Sequence, residues 1–209
     1  MDYKEKIMEE FMHQFIQKDC KDIKVDNIAE NLGISKRTLY EIFPSKDEMI
    51  KQTLYYYQTD NQNKLLAIRN EEKNPLVQIL KICFAIIDNA NQISVARLFN
   101  LKKQYPEIAG NLIGMHARFM KDVMLKSYEK AQKEGFIFQD VEPEFLLALL
   151  VSGEKDPRQR TFSFMGREFD IMKLFAAHLF TIIRGVSTLK GVEVCDTYYR
   201  NVLRDKIER

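Results

Sequence analysis

The sequence predicts an all-α chain, and three observations carry that reading. Apolar residues recur at helical spacing along nearly the whole length, with no long period-two stretch. The 209 residues include only 8 Gly and 5 Pro, too few for a loop-rich β architecture. Pro44, Pro75, Pro106 and Pro143, with Gly33 and Gly135, fall where helical patterns begin or end. Apolar residues at 45% and charged residues at 30% make an ordinary globular balance. No apolar run reaches the roughly 18 residues of a membrane span, and the start, Met-Asp-Tyr-Lys-Glu-Lys, has no apolar signal core. A soluble, cytoplasmic protein with no membrane partner is expected.

The first helix is expected over residues 3–18, with Ile7, Met8, Phe11 and Phe15 on one face. A short helix over 25–31 buries Val25, Ile28, Ala29 and Leu32. Gly33 supplies the tight turn after it, and Ser35 caps a third helix that ends near Phe43, where Pro44 stops it. Ser45-Lys46-Asp47-Glu48 reads as a capping box and opens a helix reaching about Arg69. Asn74-Pro75 opens the next, with Leu76, Ile79, Leu80, Cys83, Phe84 and Ile87 inward. Ser94 caps a short helix through Gln104, and Pro106 starts a long one that closes at Gly135. Pro143 leads into the nearly all-apolar residues 144–152. Residues 153–165 read as a loop, 167–189 as the last long helix, and 194–206 as a shorter one. Cys20, Cys83 and Cys195 are widely spaced with no CxxC pair, so three reduced thiols in or near a core are expected.

Residues 25–50 are the informative stretch. Two short helices flank a turn containing Gly33, which is helix-turn-helix geometry. Ile28, Ala29, Leu32, Ile34, Leu39 and Phe43 fuse the pair, and the opposite face of the second helix offers Ser35, Lys36, Arg37, Thr38 and Tyr40. Hydroxyls and cations at a helix N-terminus suit phosphates and base edges. Bulk charge does not advertise this partner: the chain carries 32 basic and 30 acidic residues, and residues 1–46 hold 8 basic against 9 acidic side chains. Affinity must come from placement, with Lys36, Arg37 and Lys46 set against Glu41 in residues 34–46.

The run Ile28-Ala29, Leu32-Gly33-Ile34-Ser35-Lys36, Thr38-Leu39-Tyr40, Phe43 and Ser45-Lys46-Asp47-Glu48 resembles the signature of tetracycline-repressor-like (TetR-type) transcriptional regulators. The resemblance covers about 26 of the 209 residues at many fixed spacings. It implies that Lys36, Arg37 and Thr38 meet base edges or the groove, while Ser35, Tyr40 and Lys46 meet phosphate. Lys24 departs from the pattern, standing where the family often has a Thr or Ser cap; a lysine there can still meet phosphate.

The resemblance further implies a DNA-binding domain over residues 1–46 and an effector-binding and dimerisation domain over 47–209. The expected function is ligand-responsive regulation by a homodimeric repressor, released from a palindromic double-stranded DNA operator by a small apolar molecule. An activator or global regulator of the same fold stays open, as does a helical ligand-binding protein without DNA binding. The segments 144–152 and 167–189 carry more than one apolar stripe, which points to a dimer interface including Phe145, Leu149, Phe169, Met172, Phe180 and Ile183. An effector cavity is expected among Tyr56, Cys83, Phe84, Ile87, Phe99, Leu112, His116 and Phe119, with His116, Asn111 or a tyrosine hydroxyl as polar handle. His13, His116 and His178 are scattered, and no nucleophile elbow, phosphate loop or metal-spaced cluster accompanies them. No catalytic residue, metal or cofactor is expected, and no enzyme.

Overall fold

The computed structural model describes residues 2–92, 95–152 and 161–204, except for the side chains within 89–98 and at 151–152. These residues fall into two compact units. The first comprises Met1–Asn63 with Gln92–Ala117, and the second Lys64–Asn91 with Arg118–Arg209.

In the first unit, α1 (Tyr3–Gln17) buries Ile7, Met8, Phe11, Met12 and Phe15 at helical spacing. A 3-10 turn at Cys20–Asp22 leads to α2 (Val25–Asn31) and α3 (Lys36–Ile42). Between these two helices Gly33 adopts φ +64°. Its amide donates to the Glu30 carbonyl at 3.0 Å, and the Ile34 amide donates to the Ala29 carbonyl at 3.0 Å. That is a Schellman closure, which needs a residue tolerant of positive φ. Next comes α4 (Lys46–Glu71), whose Ser45 Oγ accepts from the Glu48 amide at 3.1 Å as the capping box requires. The Glu48 carboxylate does not return to the cap; it accepts from Gln52 at 2.8 Å instead. Ile7, Phe11, Ile23, Ile28, Phe43, Met49 and Ile50 are fully buried together. Each such side chain contributes about 1.5–3 kcal/mol through burial. Leu101 of α6 (Val95–Gln104) and Ala109 of α7 (Pro106–Lys133) complete this core. Asn100 ties α6 to the 3-10 turn by donating to Asp19 at 2.9 Å.

The second unit holds the rest of α4 and α7, with α5 (Pro75–Gln92), α8 (Pro143–Ser152), a hairpin and the last helices. Asn74 Oδ1 accepts from the Leu76 and Val77 amides and so caps α5 around Pro75. Leu76, Ile79, Leu80, Val123, Ala131 and Ile183 are fully buried at its centre. Cys20, Cys83 and Cys195 are all free and buried.

The C-terminal part corrects three expectations. Arg167 does not begin a helix. Thr161–Phe164 (β1) and Arg167–Asp170 (β2) pair antiparallel, and α9 (Ile171–Gly185) starts only after Asp170, which caps it by accepting from the Lys173 amide at 3.0 Å. Thr-Phe-Ser-Phe alternates polar and apolar residues over only four positions and Arg-Glu-Phe-Asp has a single apolar residue, signals too weak to stand out among helices. Phe169 is therefore a strand residue. Nor does the last long helix reach 189. Residues 186–188 run beside 136–138, with the Phe138 amide donating to Val186 at 3.1 Å and the Thr188 amide to Phe136 at 3.0 Å. Finally, α10 (Leu189–Tyr198) begins five residues before Val194, capped by Thr188, and continues as a π-helical stretch, Tyr199–Leu203. The Ser94 cap, the loop at 153–160 and the helix end at Lys206 lie outside the described residues.

Candidate nucleic-acid interface

Short helices need help to hold a shape, and α3 receives it at both ends. Ser35 Oγ accepts from the Thr38 amide at 3.0 Å and lies 2.8 Å from Thr38 Oγ1. Leu39 and Phe43, exposed by 1% and 0%, anchor the inner side in the core. The outer side presents Ser35, Lys36, Arg37 and Tyr40, all exposed, beside a half-buried Thr38. Five of the seven residues picked for base and phosphate contact thus lie on α3 or at its cap, while Lys24 caps α2 and Lys46 opens α4. Lys24 stands exposed at the start of α2 with no side-chain cap bond, so that cap is weak as expected.

Both cations of α3 are already engaged. Lys36 Nζ lies 2.7 Å from Asp26 Oδ1 of α2, and Arg37 Nε donates to Glu41 Oε1 at 3.0 Å. The Asp26 carboxylate raises the Lys36 pKa above its ordinary value through the hydrogen bond and its charge. Asp26 was not legible as a partner, because its spacing to Lys36 has meaning only once α2 and α3 are docked. Lys46, at the first position of α4, donates to the Lys21 carbonyl at 3.1 Å. Burial of this ammonium lowers its pKa. It is half-buried and positioned, rather than free in solvent.

The residues expected to line an effector cavity fall into both compact units. Tyr56, Phe99, Leu112 and His116 belong to the first; Cys83, Phe84, Ile87 and Phe119 belong to the second. Cys83, Phe84 and Ile87 are core residues of the second unit, and Phe119 packs against that core. Phe99 is 51% exposed, and Asn111 is exposed too. His116 has a polar neighbour: Gln58 Nε2 lies 3.4 Å from His116 Nδ1, and burial lowers the imidazole pKa. Gln58 was missed, being separated from His116 by 58 positions. A separate groove of about 350 Å³ in the second unit is lined by Val77, Val194, Tyr198 and Val202 with Glu193, Thr197 and Asn201. Among the described residues no group of three His, Cys, Asp or Glu is placed to hold a metal ion, and no helix is long and apolar enough to cross a membrane.

On α8 and α9 the apolar residues divide. Phe145 is 58% exposed and Leu174 37% exposed, while Leu149, Met172 and Phe180 are half-buried. Phe180 lies 5.1 Å from Tyr199, centroid to centroid. Ile183 is fully buried in the core of its own unit and so cannot serve as a contact for a second copy. The outward face runs through Phe145 and Leu174 instead.

Comparison with known proteins agrees with this geometry. The family of bacterial regulatory proteins described as the tetR family matches residues 7–57. No curated protein matches the chain. Among solved structures, a TetR transcription regulator from Haloarcula marismortui superposes with a TM-score of 0.70 at 13% identity, covering 88% of this chain and 98% of that one. The ketosteroid transcriptional regulator KstR2 of Mycobacterium tuberculosis gives 0.56 at 15% identity, covering 90% and 96%. The TetR-family repressor FadR of Thermus thermophilus, solved with lauroyl-CoA, gives 0.52 at 14% identity, covering 87% and 94%. At these identities the likeness is one of fold. Residues 7–57 thus match the tetR family of bacterial regulatory proteins, a DNA-binding helix-turn-helix, and the chain around them shares the fold of the TetR regulators it superposes on.

Proposed function

We propose that this protein is a homodimeric repressor that occludes a palindromic operator until a small apolar molecule releases it. The observation carrying the DNA-binding part is α3 itself: Ser35 caps it, Leu39 fixes it, and Lys36, Arg37, Thr38 and Tyr40 share its outer side. In this reading residues 1–46 are the DNA-binding part, with Lys24, Ser35, Tyr40 and Lys46 on phosphate, and 47–209 serve effector binding and dimerisation.

Support for a dimer comes from the apolar surface of α8 and α9, where Phe145 and Leu174 face solvent. A two-fold axis through that face would set two recognition helices on successive major grooves, roughly 34–36 Å apart. Support for coupling comes from the first unit's core, where Leu101 and Ala109 pack with Met49, Ile50 and Leu54 of α4. An effector that shifts the α6–α7 corner would disturb the helix that starts at Lys46. His116 with Gln58 is the polar handle of the proposed effector site, and Tyr56, Phe99 and Leu112 are its apolar neighbours in the same unit. FadR, which shares the fold, is solved in complex with lauroyl-CoA, a ligand with a long apolar acyl chain, and this supports an effector with an apolar part here.

The test is a mobility shift on DNA flanking the protein's own gene, repeated with compounds that raise the melting temperature of the protein. Operator-specific binding that such a compound weakens is expected. By linkage, operator must weaken the compound's affinity by the same factor. No sequence-specific binding to that DNA would leave a helical ligand-binding protein instead. Reporter output that falls on deletion of the gene would make it an activator.

A further inference from the structure

The β1–β2 hairpin between α8 and α9 has two chemically opposed faces. Its register pairs Phe162 with Phe169 and Phe164 with Arg167, while Thr161 pairs with Asp170 and Ser163 with Glu168. Cross-strand partners share a face and alternate along the strand. One side is therefore Phe162, Phe164, Phe169 and Arg167, and the other is entirely polar. Phe162 stacks near Phe164 with centroids 6.4 Å apart, and the Arg167 guanidinium lies 5.6 Å from the Phe169 ring centre. Two strands alone are marginal in water, so such an aromatic face needs a cover. The face is only partly covered within the chain: Phe164 is 55% exposed.

The tip sharpens the point. Met165 and Gly166 both have positive φ, +50° and +75°, as a two-residue hairpin turn requires. Asn or Asp is far better suited to that conformation than methionine. Yet Met165 is 87% exposed, so the fold of its own chain gives no reason for an apolar side chain there.

We infer that this hairpin is an arm that lays its aromatic face and Met165 on a second copy of the chain. The inference rests on the dimer proposed above and names a part of its interface beyond α8 and α9. Charge complementarity selects the occupant. The aromatic face carries a cation, Arg167, and no anion. The same unit holds the exposed acids Asp140 and Glu142, followed by Glu144, whose carboxylate lies 3.9 Å from Lys121, with exposed Phe138 and Phe145 on either side of them in the chain. Apolar side chains edged by a cation on the arm fit apolar side chains edged by anions on the other copy. A two-fold dimer makes the exchange reciprocal, each arm lying on the other chain's acidic segment. Because Asp170 caps α9 directly, the arm is tied to the helix whose outer side joins the proposed dimer face.

The full-length protein tests this by sedimentation over a range of concentrations. Met165→Asn combined with Phe164→Ser keeps the turn favourable and should raise the dimer dissociation constant about tenfold or more, the scale of losing a buried aromatic anchor. Arg167→Glu should weaken the dimer, and adding Glu142→Arg should restore it. A wild-type dimer whose dissociation constant ignores Met165→Asn with Phe164→Ser would overturn the arm and leave the dimer standing. A wild type that stays monomeric throughout would overturn both. An independent readout uses the burial of all three native thiols. A mixture of chains carrying F164C with chains carrying E142C should yield a mixed cross-linked species with a short bismaleimide. Its absence from a mixture that contains exchanged dimers would also overturn the arm.

Discussion

Lys36 of the recognition helix is held by Asp26 of the preceding helix, Nζ to Oδ1 at 2.7 Å. In the proposed DNA-bound state the motif carries its own competitor: phosphate or a base edge would have to draw Lys36 away from the carboxylate beside it. Both side chains are more than half exposed, at 56% and 65%, so water and salt screen the pair and its strength is small. Asp26→Asn should therefore leave the fold unchanged and tighten DNA binding by about two- to tenfold at low salt, for specific and non-specific DNA alike. Fluorescence anisotropy with both DNA classes checks this. Weaker binding by Asp26→Asn would mean that the acid orients Lys36 productively instead.

Arg37 and the phosphate contacts separate by their sequence dependence. Arg37→Ala should cost about 1–3 kcal/mol on the operator and relax preference at one base pair. Tyr40→Phe and Lys46→Ala should weaken binding to all sequences, with Lys46→Ala lowering the salt slope by about one. Lys46→Ala should also lower the melting temperature slightly, because the Lys21 carbonyl loses its donor. If operator affinity ignores all three changes, α3 is not the reading helix.

Phe145→Glu is the cleanest disruption of the proposed dimer, since Phe145 is 58% exposed and its loss leaves the protomer core intact. Light scattering should report a folded monomer, and operator binding should fall with the loss of two-site attachment. Phe180→Glu would confuse the two effects, as Phe180 already packs on Tyr199 in its own chain.

Burial depresses the His116 pKa below the ordinary histidine value of about 6.5. The folded state then favours the neutral ring, whereas the unfolded chain takes up a proton first as pH falls. The His116 contribution is fully present above about pH 6.5 and is lost as pH drops from there toward the folded pKa. Thermal melts at pH 7.5 and 5.5 should show a larger drop for the wild type than for His116→Leu. Equal drops would show that His116 does not titrate differently in the fold.

Gly191 in α10 sits directly against the segment before α8. A Cβ there would overlap the Phe136 carbonyl oxygen, which already accepts from the Thr188 amide at 3.0 Å, and would lie 2.9 Å from Ser187 Cβ. Gly191→Ala should destabilise by about 1–3 kcal/mol through overpacking, lowering the melting temperature by about 2–4 °C per kcal/mol for a chain of this size. An unchanged melting temperature would mean that the 136–138 and 186–188 segments part easily.

Sequence alone determined the helical frame around the helix-turn-helix of this protein. The Ser35 and Ser45 caps, the Gly33 turn and the apolar spacing through Phe43 are local signals, each set by residues only a few positions apart. The structure places the two serine caps and the turn as read, while Leu32, expected to be buried, is only partly so. Tertiary structure decided what depends on residues distant in the chain. Asp26 meets Lys36 only because α2 and α3 dock, and Gln58 reaches His116 across 58 positions. Ile183 looked available to a partner, yet its own core claims it, because an all-round apolar helix does not announce which stripe turns inward. The break at residues 186–188 was equally hidden. Nothing in Val-Ser-Thr forbids a helix, and the chain leaves one there because its backbone groups bond to 136–138 instead.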